Sequence, residues 1–179
     1  MAFTNLKQYR EELRARTFAR AERFEVTFDK FPGMLGTDVQ LFCEEVQIPG
    51  AILSNKEFNI GPWTFFRNTK LGFLGNEINF TFITTQDWAL RSAFEYWIDE
   101  CVNAKSQEIA YPEQIQSTVK IDCLDMEDNV TARWTLHEAM PKVLNLVPLS
   151  HGTTAAVRNT LIMSAAYWES DALKSIASG

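Results

Sequence analysis

Two periodicities run along this chain, and the place where one gives way to the other sets the expected fold. Arg23 to Phe28 alternates, with Phe24, Val26 and Phe28 on one side and Arg23, Glu25 and Thr27 on the other, the pattern of a half-buried strand. After a loop from Phe31-Pro32-Gly33 to Gly36, Val39, Leu41 and Cys43 open a second alternating run. It continues through Glu44, Glu45 and Val46 into Pro49-Gly50. That pair reads as a turn, because Pro presets φ and Gly accepts positive φ. Glu77 to Thr84 is a third strand, with Ile78, Phe80 and Phe82 sharing a face. The period then switches: Leu90, Phe94, Trp97, Ile98 and Cys101 fall on one side of a helix over about 86–102. Thr84 or Thr85 is its expected N-cap, with Asp87 in its first turn.

Beyond a polar link around Tyr111-Pro112, Val119, Ile121 and Cys123 alternate with Thr118, Lys120 and Asp122. Glu127-Asp128-Asn129 turns the chain, and Val130, Ala132, Trp134 and Leu136 return as the second arm of a hairpin, which Pro141 is expected to stop. After a loop that includes His151-Gly152, the last strand runs from Thr160 to Trp168. Leu161, Met163, Ala165 and Tyr167 lie on one face, and Ile162, Ser164, Ala166 and Trp168 on the other. The pattern is therefore mainly β: an antiparallel β-sandwich or barrel with one packed α-helix. Residues 51–76 stand apart. Strand-like pieces at Lys56–Ile60 and Trp63–Arg67 are punctuated by Gly61-Pro62, Gly72 and Gly75-Asn76 and are rich in Phe and Trp. So long an excursion is uncommon as idle loop, and it reads as a long hairpin or extended loop that packs on something else.

Three segments follow: an N-terminal helical arm over 1–22, one domain over 23–168, and a small polar tail over 169–179. In the arm, Asn5 and Gln8 are spaced as a capping box, and Leu6, Tyr9 and Leu13 make only a narrow apolar stripe, which suits an arm resting on another surface. Charge separates arm from body. Residues 1–23 carry six basic and three acidic groups, leaving eleven basic and twenty acidic in the rest. A basic arm on an acidic body suggests docking between the two, within one subunit or between subunits, and an acidic body binds nucleic acid poorly. No apolar run is long enough to span a bilayer. The N-terminus lacks the apolar block of a signal peptide, so the protein is expected to be made in a cytoplasm with no membrane anchor.

Residues for chemistry are sparse. His137 and His151 have no partner at metal-ligand spacing. Cys43, Cys101 and Cys123 are odd in number and widely spaced, the pattern of reduced thiols. No P-loop, dinucleotide fingerprint or nucleophile elbow occurs. Glu44-Glu45 are adjacent on a strand and so expected on opposite faces, unable to act on one atom. The chain is read as a structural subunit and not an enzyme, with no cofactor and no metal. What remains is a surplus of apolar side chains, including Phe58, Trp63, Phe65, Phe66 and Phe73 in the excursion, which marks an association surface.

Phe42-Cys43-Glu44-Glu45-Val46-Gln47-Ile48-Pro49-Gly50 resembles the strand-and-turn signature of contractile-tail bacteriophage tail tube proteins of the T-even-like kind. Phe24-Glu25-Val26 precedes it. Ile78 to Thr84 then leads into the helix with Trp88 and Trp97, and Asp125 to Asn129 is similar to the family's hairpin turn. Glu138-Ala139-Met140-Pro141-Lys142 and Ala166-Tyr167-Trp168 resemble two later segments. The resemblance spans residues 23–168. It implies hexameric rings stacked into a hollow tube of the virion, surrounded by a sheath and attached to baseplate proteins. Tape-measure protein and DNA would be its contents, delivered through the host envelope. The assembly interface would then include Glu44, Glu45, Pro49, Gly50, Phe58, Trp63, Phe65, Phe66 and Phe73, with Arg14 and Arg16 of the arm. Two alternatives share this fold: a baseplate tube initiator, suggested by the long Arg/Glu-rich N-terminus, and the tube of a phage-like injection or secretion device. A monomeric small-molecule-binding β-barrel is an alternative of another class, and an enzyme using His137 with a carboxylate is a third.

Overall fold

The computed structural model describes residues 19–30, 42–74, 77–152 and 156–171, with the backbone alone at 70–71 and 73–74. The arm expected over residues 1–22 lies almost wholly outside them, as do Arg14 and Arg16. The same holds for the loop from Phe31 to Gly36, for Val39 and Leu41, and for most of the tail. Nine strands and two helices are described: β1 (Phe24–Phe28), β2 (Cys43–Val46), β3 (Gly50–Ile60), β4 (Trp63–Leu74), β5 (Glu77–Ile83), α1 (Ala89–Cys101), α2 (Pro112–Ile115), β6 (Ser117–Leu124), β7 (Val130–Leu144), β8 (Arg158–Ser164) and β9 (Tyr167–Ser170).

The body is one antiparallel ladder in the order β1-β6-β7-β8-β5-β2, with β9 on β7. The long strand β7 belongs to both halves. Its first part pairs with β6 and β9, and from Met140 to Leu144 it pairs with β8. The change of partner falls at Glu138, whose φ is 55°, a conformation uncommon for a residue with a Cβ. The facing chain breaks at the same level: β8 ends at Ser164, β9 starts at Tyr167, and Ala166 N–H donates to His137 O at 3.1 Å. The ladder thereby folds into two four-stranded halves, β1-β6-β7-β9 and β2-β5-β8-β7, that close on a shared core. Phe28 of one half lies 5.9 Å from Phe80 and 6.4 Å from Phe82 of the other.

This corner explains two departures from the sequence pattern. Pro141 does not end β7. The strand runs three residues past it, with a register shift between Pro141 and Val143. Here β7 is an edge strand at an irregularity, the two settings in which a sheet tolerates proline. The expected Thr160–Trp168 strand divides at Ala165-Ala166, and the alternation slips. Ala165 is buried, Tyr167 is exposed, and Trp168 turns to the core instead. The tail boundary drawn at 168 falls inside β9.

The alternating strands otherwise bury the faces expected. Val26, Ile78, Phe80, Phe82, Val119, Ile121, Leu136, Leu161 and Met163 are at most 2% exposed. Helix α1 closes the core with Leu90, Ala93, Phe94 and Trp97, and the Phe82 and Phe94 rings lie 5.0 Å apart. Trp97 Nε1–H donates to Ile115 O at 2.9 Å in buried surroundings, fixing α2, a helical turn where only a polar link was expected. The helix starts later than predicted. Its N-cap is Trp88, at φ 56° with no side-chain cap, and no acidic residue lies in the first turn. Asp87 instead accepts from the Ala89 N–H at 3.3 Å and from the Thr85 hydroxyl. The buried Asn159 ties the helix start to the sheet: its amide donates to Thr84 Oγ1 at 2.5 Å and accepts from Arg91 Nη1 at 2.9 Å.

Candidate assembly surfaces

Within the excursion, Gly50–Leu74 is a two-stranded sheet of its own, in which, among the described residues, β3 pairs only with β4. The register runs from Gly50 opposite Leu74 to Ile60 opposite Trp63, so Gly61-Pro62 form a two-residue turn. Gly61 has φ 60° and stands at the first central position, where a type II′ hairpin turn calls for glycine. The positive φ expected at Gly50 is therefore found at Gly61. Gly50 is the first residue of β3, Pro49 before it is buried, and Trp168 Nε1–H donates to Gly50 O at 3.1 Å. The Pro-Gly pair anchors the hairpin's base to the core and does not reverse the chain.

A register shift between Ser54 and Asn55 divides the hairpin, and Thr69 Oγ1 donates to Ser54 O at 3.1 Å there. In the outer part, Phe58 faces Phe65 and Ile60 faces Trp63, with Lys56 opposite Arg67 behind them. Strand alternation places all six on one side. Phe58, Ile60, Trp63 and Phe65 are 41%, 69%, 70% and 50% exposed, and Lys56 Nζ lies 5.6 Å from the Phe58 ring centroid. The other side carries Asn55, Glu57, Asn59, Thr64 and Asn68, with Phe66 as its one aromatic; Thr64 Oγ1 donates to Asn59 Oδ1 at 2.9 Å. Of the predicted interface residues, Phe58, Trp63 and Phe65 thus share a face and Phe66 opposes them. Phe73 lies near the base opposite Ala51.

Glu44 and Glu45 sit elsewhere. A bulge between Cys43 and Glu45 breaks the alternation, so both are exposed instead of facing opposite ways. Glu44 takes a bidentate pair from Arg158 of β8, with Nη2–Oε1 at 2.8 Å. The Arg158 guanidinium holds the Glu44 carboxyl below its ordinary value, and Glu44 raises Arg158. The strand registers separate two ends of the β2-β5-β8-β7 half. Val46, Glu77, Ser164 and Met140 mark the end from which the hairpin leaves, and Phe42, Ile83, Arg158 and Asn145 mark the opposite end. Glu44 belongs near the opposite end, so the interface expected from sequence divides between the two.

That opposite end holds residues the sequence reading passed over. Leu146 and Leu149 are 95% and 72% exposed. A surface cavity of about 490 Å³ beside them is lined by Val147, Pro148, Leu149, His151, Val157 and Arg158. The Leu-Val-Pro-Leu run was the available signal, masked by its place in a loop without periodicity.

The outer face of the same half mixes polar and apolar side chains at its centre. Asn79 pairs with Ile162 and Thr81 with Thr160, the exposed Glu45 stands opposite Thr81, and Lys142 meets Glu77 at one end as Arg158 meets Glu44 at the other. The β1-β6-β7-β9 half is more charged outside. There, Asp122, only 6% exposed, takes Arg133 in two hydrogen bonds of 2.6 and 2.7 Å, which raise the arginine's pKa. His137 stacks on Tyr167 at 4.6 Å, with Nε2 3.6 Å from Glu169 Oε2. No group of three or more His, Cys, Asp or Glu spaced to hold a metal occurs among the described residues. No described helix is long and apolar enough to cross a membrane.

The family model described as phage tail tube protein matches residues 8–169. Among curated proteins, none matches. The fold is similar to a chain of the sheath-tube complex, in its extended state, of the PVC extracellular contractile injection system: 12% identity, TM-score 0.65, covering 94% of this chain and 99% of that one. It is also similar to a chain of the anti-feeding prophage tube-terminating cap, at 14% identity, TM-score 0.64 and coverage of 87% and 92%. A chain of the anti-feeding prophage baseplate matches at 15% identity, TM-score 0.62 and coverage of 87% and 96%.

Proposed function

Because the chain belongs to the phage tail tube protein family, we propose that it is the repeating subunit of a contractile tail's tube, closing into hexameric rings that stack into a hollow conduit for DNA. The observation that carries this reading is the hairpin: four large apolar side chains on one exposed face, with no strand among the described residues paired beside it. Such a patch marks an association site. The ring itself is proposed to close through the β2-β5-β8-β7 half. Its two edges, β2 and the Met140–Leu144 part of β7, are of similar length and run in opposite senses. The β7 edge of one copy therefore continues antiparallel into the β2 edge of the next, which removes both edges. The hairpin leaves beside β2, within reach of that neighbour.

In this arrangement Asn79, Thr81, Thr160, Ile162 and Ser164 face the lumen, with Glu45 opposite Thr81 and the Lys142–Glu77 and Arg158–Glu44 pairs at the rims. A wall without an unpaired cation, on an acidic subunit, does not grip phosphate, which suits passage of DNA and of a tape-measure protein. The space between the two halves is filled by Phe80, Phe82, Phe94 and Trp97, each 0% exposed, which weighs against a ligand-binding barrel. Sheath and baseplate proteins are the proposed outer and end partners, since the similar chains come from a sheath-tube complex, a cap and a baseplate. That spread also supports an end piece, such as a tube initiator, as the second reading. Negative-stain electron microscopy across a concentration series tests both. Stacked rings or tubes are expected of the body subunit and single rings of an end piece, whereas a monomer at every concentration counts against self-assembly.

A further inference from the structure

The two open edges of the β2-β5-β8-β7 half carry opposite charges on one face of the sheet. On β2, the exposed Glu45 stands opposite Thr81, on the face that Glu77 and Asn79 share by strand alternation. Glu44 beside it is taken up by Arg158 at 2.8 Å, whereas no cation lies within ion-pair distance of Glu45 among the described residues. On β7, Lys142 is the one ionisable side chain between Met140 and Leu144. Its ammonium meets Glu77, so it stands on that same face. The neighbouring charges leave this contrast in place. Glu138 is exposed at the corner before the segment, and Arg91, whose Nη1 donates to Asn145 O, is paired with Glu95. Each edge also carries a register shift, and the residue each leaves without a ladder partner is charged, Glu44 on β2 and Lys142 on β7. We infer that Lys142 of one copy binds Glu45 of the next across the ring joint, and that this pair sets which edges join and in what register. This rests on the ring reading above and adds to it the residues that order the copies.

Geometry allows more than one joint, and charge chooses among them. A strand edge can pair antiparallel with a copy of itself, β2 with β2 or β7 with β7, about a two-fold axis, and such a contact closes as a dimer. These joints set Glu44 and Glu45, or Lys142, against their own copies, and like charges facing across strands are destabilising. Pairing β7 with β2 brings opposite charges together and leaves an open edge for the next copy. The ammonium has three donors, so Lys142 keeps Glu77 and gains Glu45. Register follows as well. Leu144 stands level with Val46, through Leu161 and Phe80, so a joint without stagger sets Glu45 against Asn145. A slip of about two residues brings Lys142 opposite Glu45 and keeps every side chain on its face, and closing a barrel imposes a stagger of this kind.

Two charge reversals and a cross-link test this at low ionic strength, where exposed pairs are least screened. Lys142→Glu and Glu45→Lys each set like charges across every joint, and each is expected to raise the concentration needed for rings about tenfold. Mixing the two variants is expected to restore rings, because alternating copies again bring opposite charges to every joint. Mixing does not repair a folding defect, so rescue separates the joint from the subunit's own stability. In wild-type rings, a carbodiimide is expected to condense the Lys142 amine with the Glu45 carboxyl into an amide, the water lost being taken up by the reagent. Mass spectrometry of mixed light and heavy-isotope chains would read it as a link between copies. Within one subunit the two residues lie three strand spacings apart, roughly 14 Å at about 4.8 Å each, beyond the reach of a direct bond. Rings from either single variant at the wild-type concentration, no rescue by the mixture of folded variants, or wild-type rings without that link would overturn the pair and leave the ring reading standing. A wild-type chain that forms no rings would sink both.

Discussion

Replacing Trp63 with Ala separates assembly from folding, and the structure sets the size of the effect. A tryptophan side chain buries roughly 150–250 Å², and Trp63 is 70% exposed in the isolated subunit. About 140 Å² therefore remains for a neighbour to cover, worth about 3.5 kcal/mol if fully buried at ~25 cal/mol per Å². Even half that burial is about 1.75 kcal/mol, roughly a twentyfold rise in the concentration needed to assemble. Subunit stability should barely move, within about 0.5 kcal/mol, because an exposed tip contributes little to the core. Phe66 supplies the control. It is 68% exposed but sits on the side lined by Asn55, Glu57, Asn59 and Thr64, so Phe66→Ala should cost several-fold less. Light scattering against concentration reads assembly, and urea unfolding of the monomer reads stability. Equal losses from the two variants would refute the argument that one face of the hairpin carries the contact, and no loss from Trp63→Ala would refute its role altogether.

Three further outcomes follow from the interior and the charges. Trp97→Phe leaves the buried Ile115 carbonyl without the indole donor. It should cost about 1–3 kcal/mol, measured as a lower urea midpoint with the fold retained by circular dichroism. Glu44 is held low by Arg158, Asp87 by the Thr85 hydroxyl and the Ala89 N–H, and Asp125 by the N–H groups of Asn129 and Glu127. Each carboxyl binds a proton less readily folded than unfolded, so its stabilisation is complete above the unfolded pKa of about 4 and is lost as pH falls through the lower folded value. Urea midpoints should hold level from pH 8 to 5 and drop below about pH 4, and Glu44→Gln should reduce that drop; an unchanged profile would remove the ion pair from the account. Burial pushes the Cys43 thiol up to about 12. Iodoacetamide at pH 8 should therefore modify this half-buried thiol much more slowly in the native protein than after unfolding, as mass spectrometry would read; equal rates would contradict the raised value.

The strands and the helix were legible because each buries one face against a single core. Phe24-Val26-Phe28, Ile78-Phe80-Phe82 and Val119-Ile121 announce a sheet by period two, and Leu90-Phe94-Trp97 a helix by 3.6. Turns and caps were less legible. Pro49-Gly50 carries the composition of a turn, yet the reversal falls at Gly61-Pro62, because an indole from β9 captures the Gly50 carbonyl and β3 starts there. Asp87 has the composition of a first-turn acid but stands before the helix, with Trp88 in the left-handed region between them. Local residue types permit such features, and long-range partners select among them.

By itself the sequence determined the alternating faces, the mainly β class, the aromatic surplus in residues 51–76 and the resemblance to tube proteins. All of these depend on side-chain chemistry and local spacing. Only the tertiary structure decided that β7 runs through Pro141 to serve both halves of the sheet, that Phe58, Trp63 and Phe65 share a face without Phe66, and that Glu44 lies toward the end opposite the hairpin. The physical reason is common to all three. A bulge, a left-handed residue or a change of strand partner shifts the period by one residue, and one residue is enough to exchange the inside of a strand for its outside.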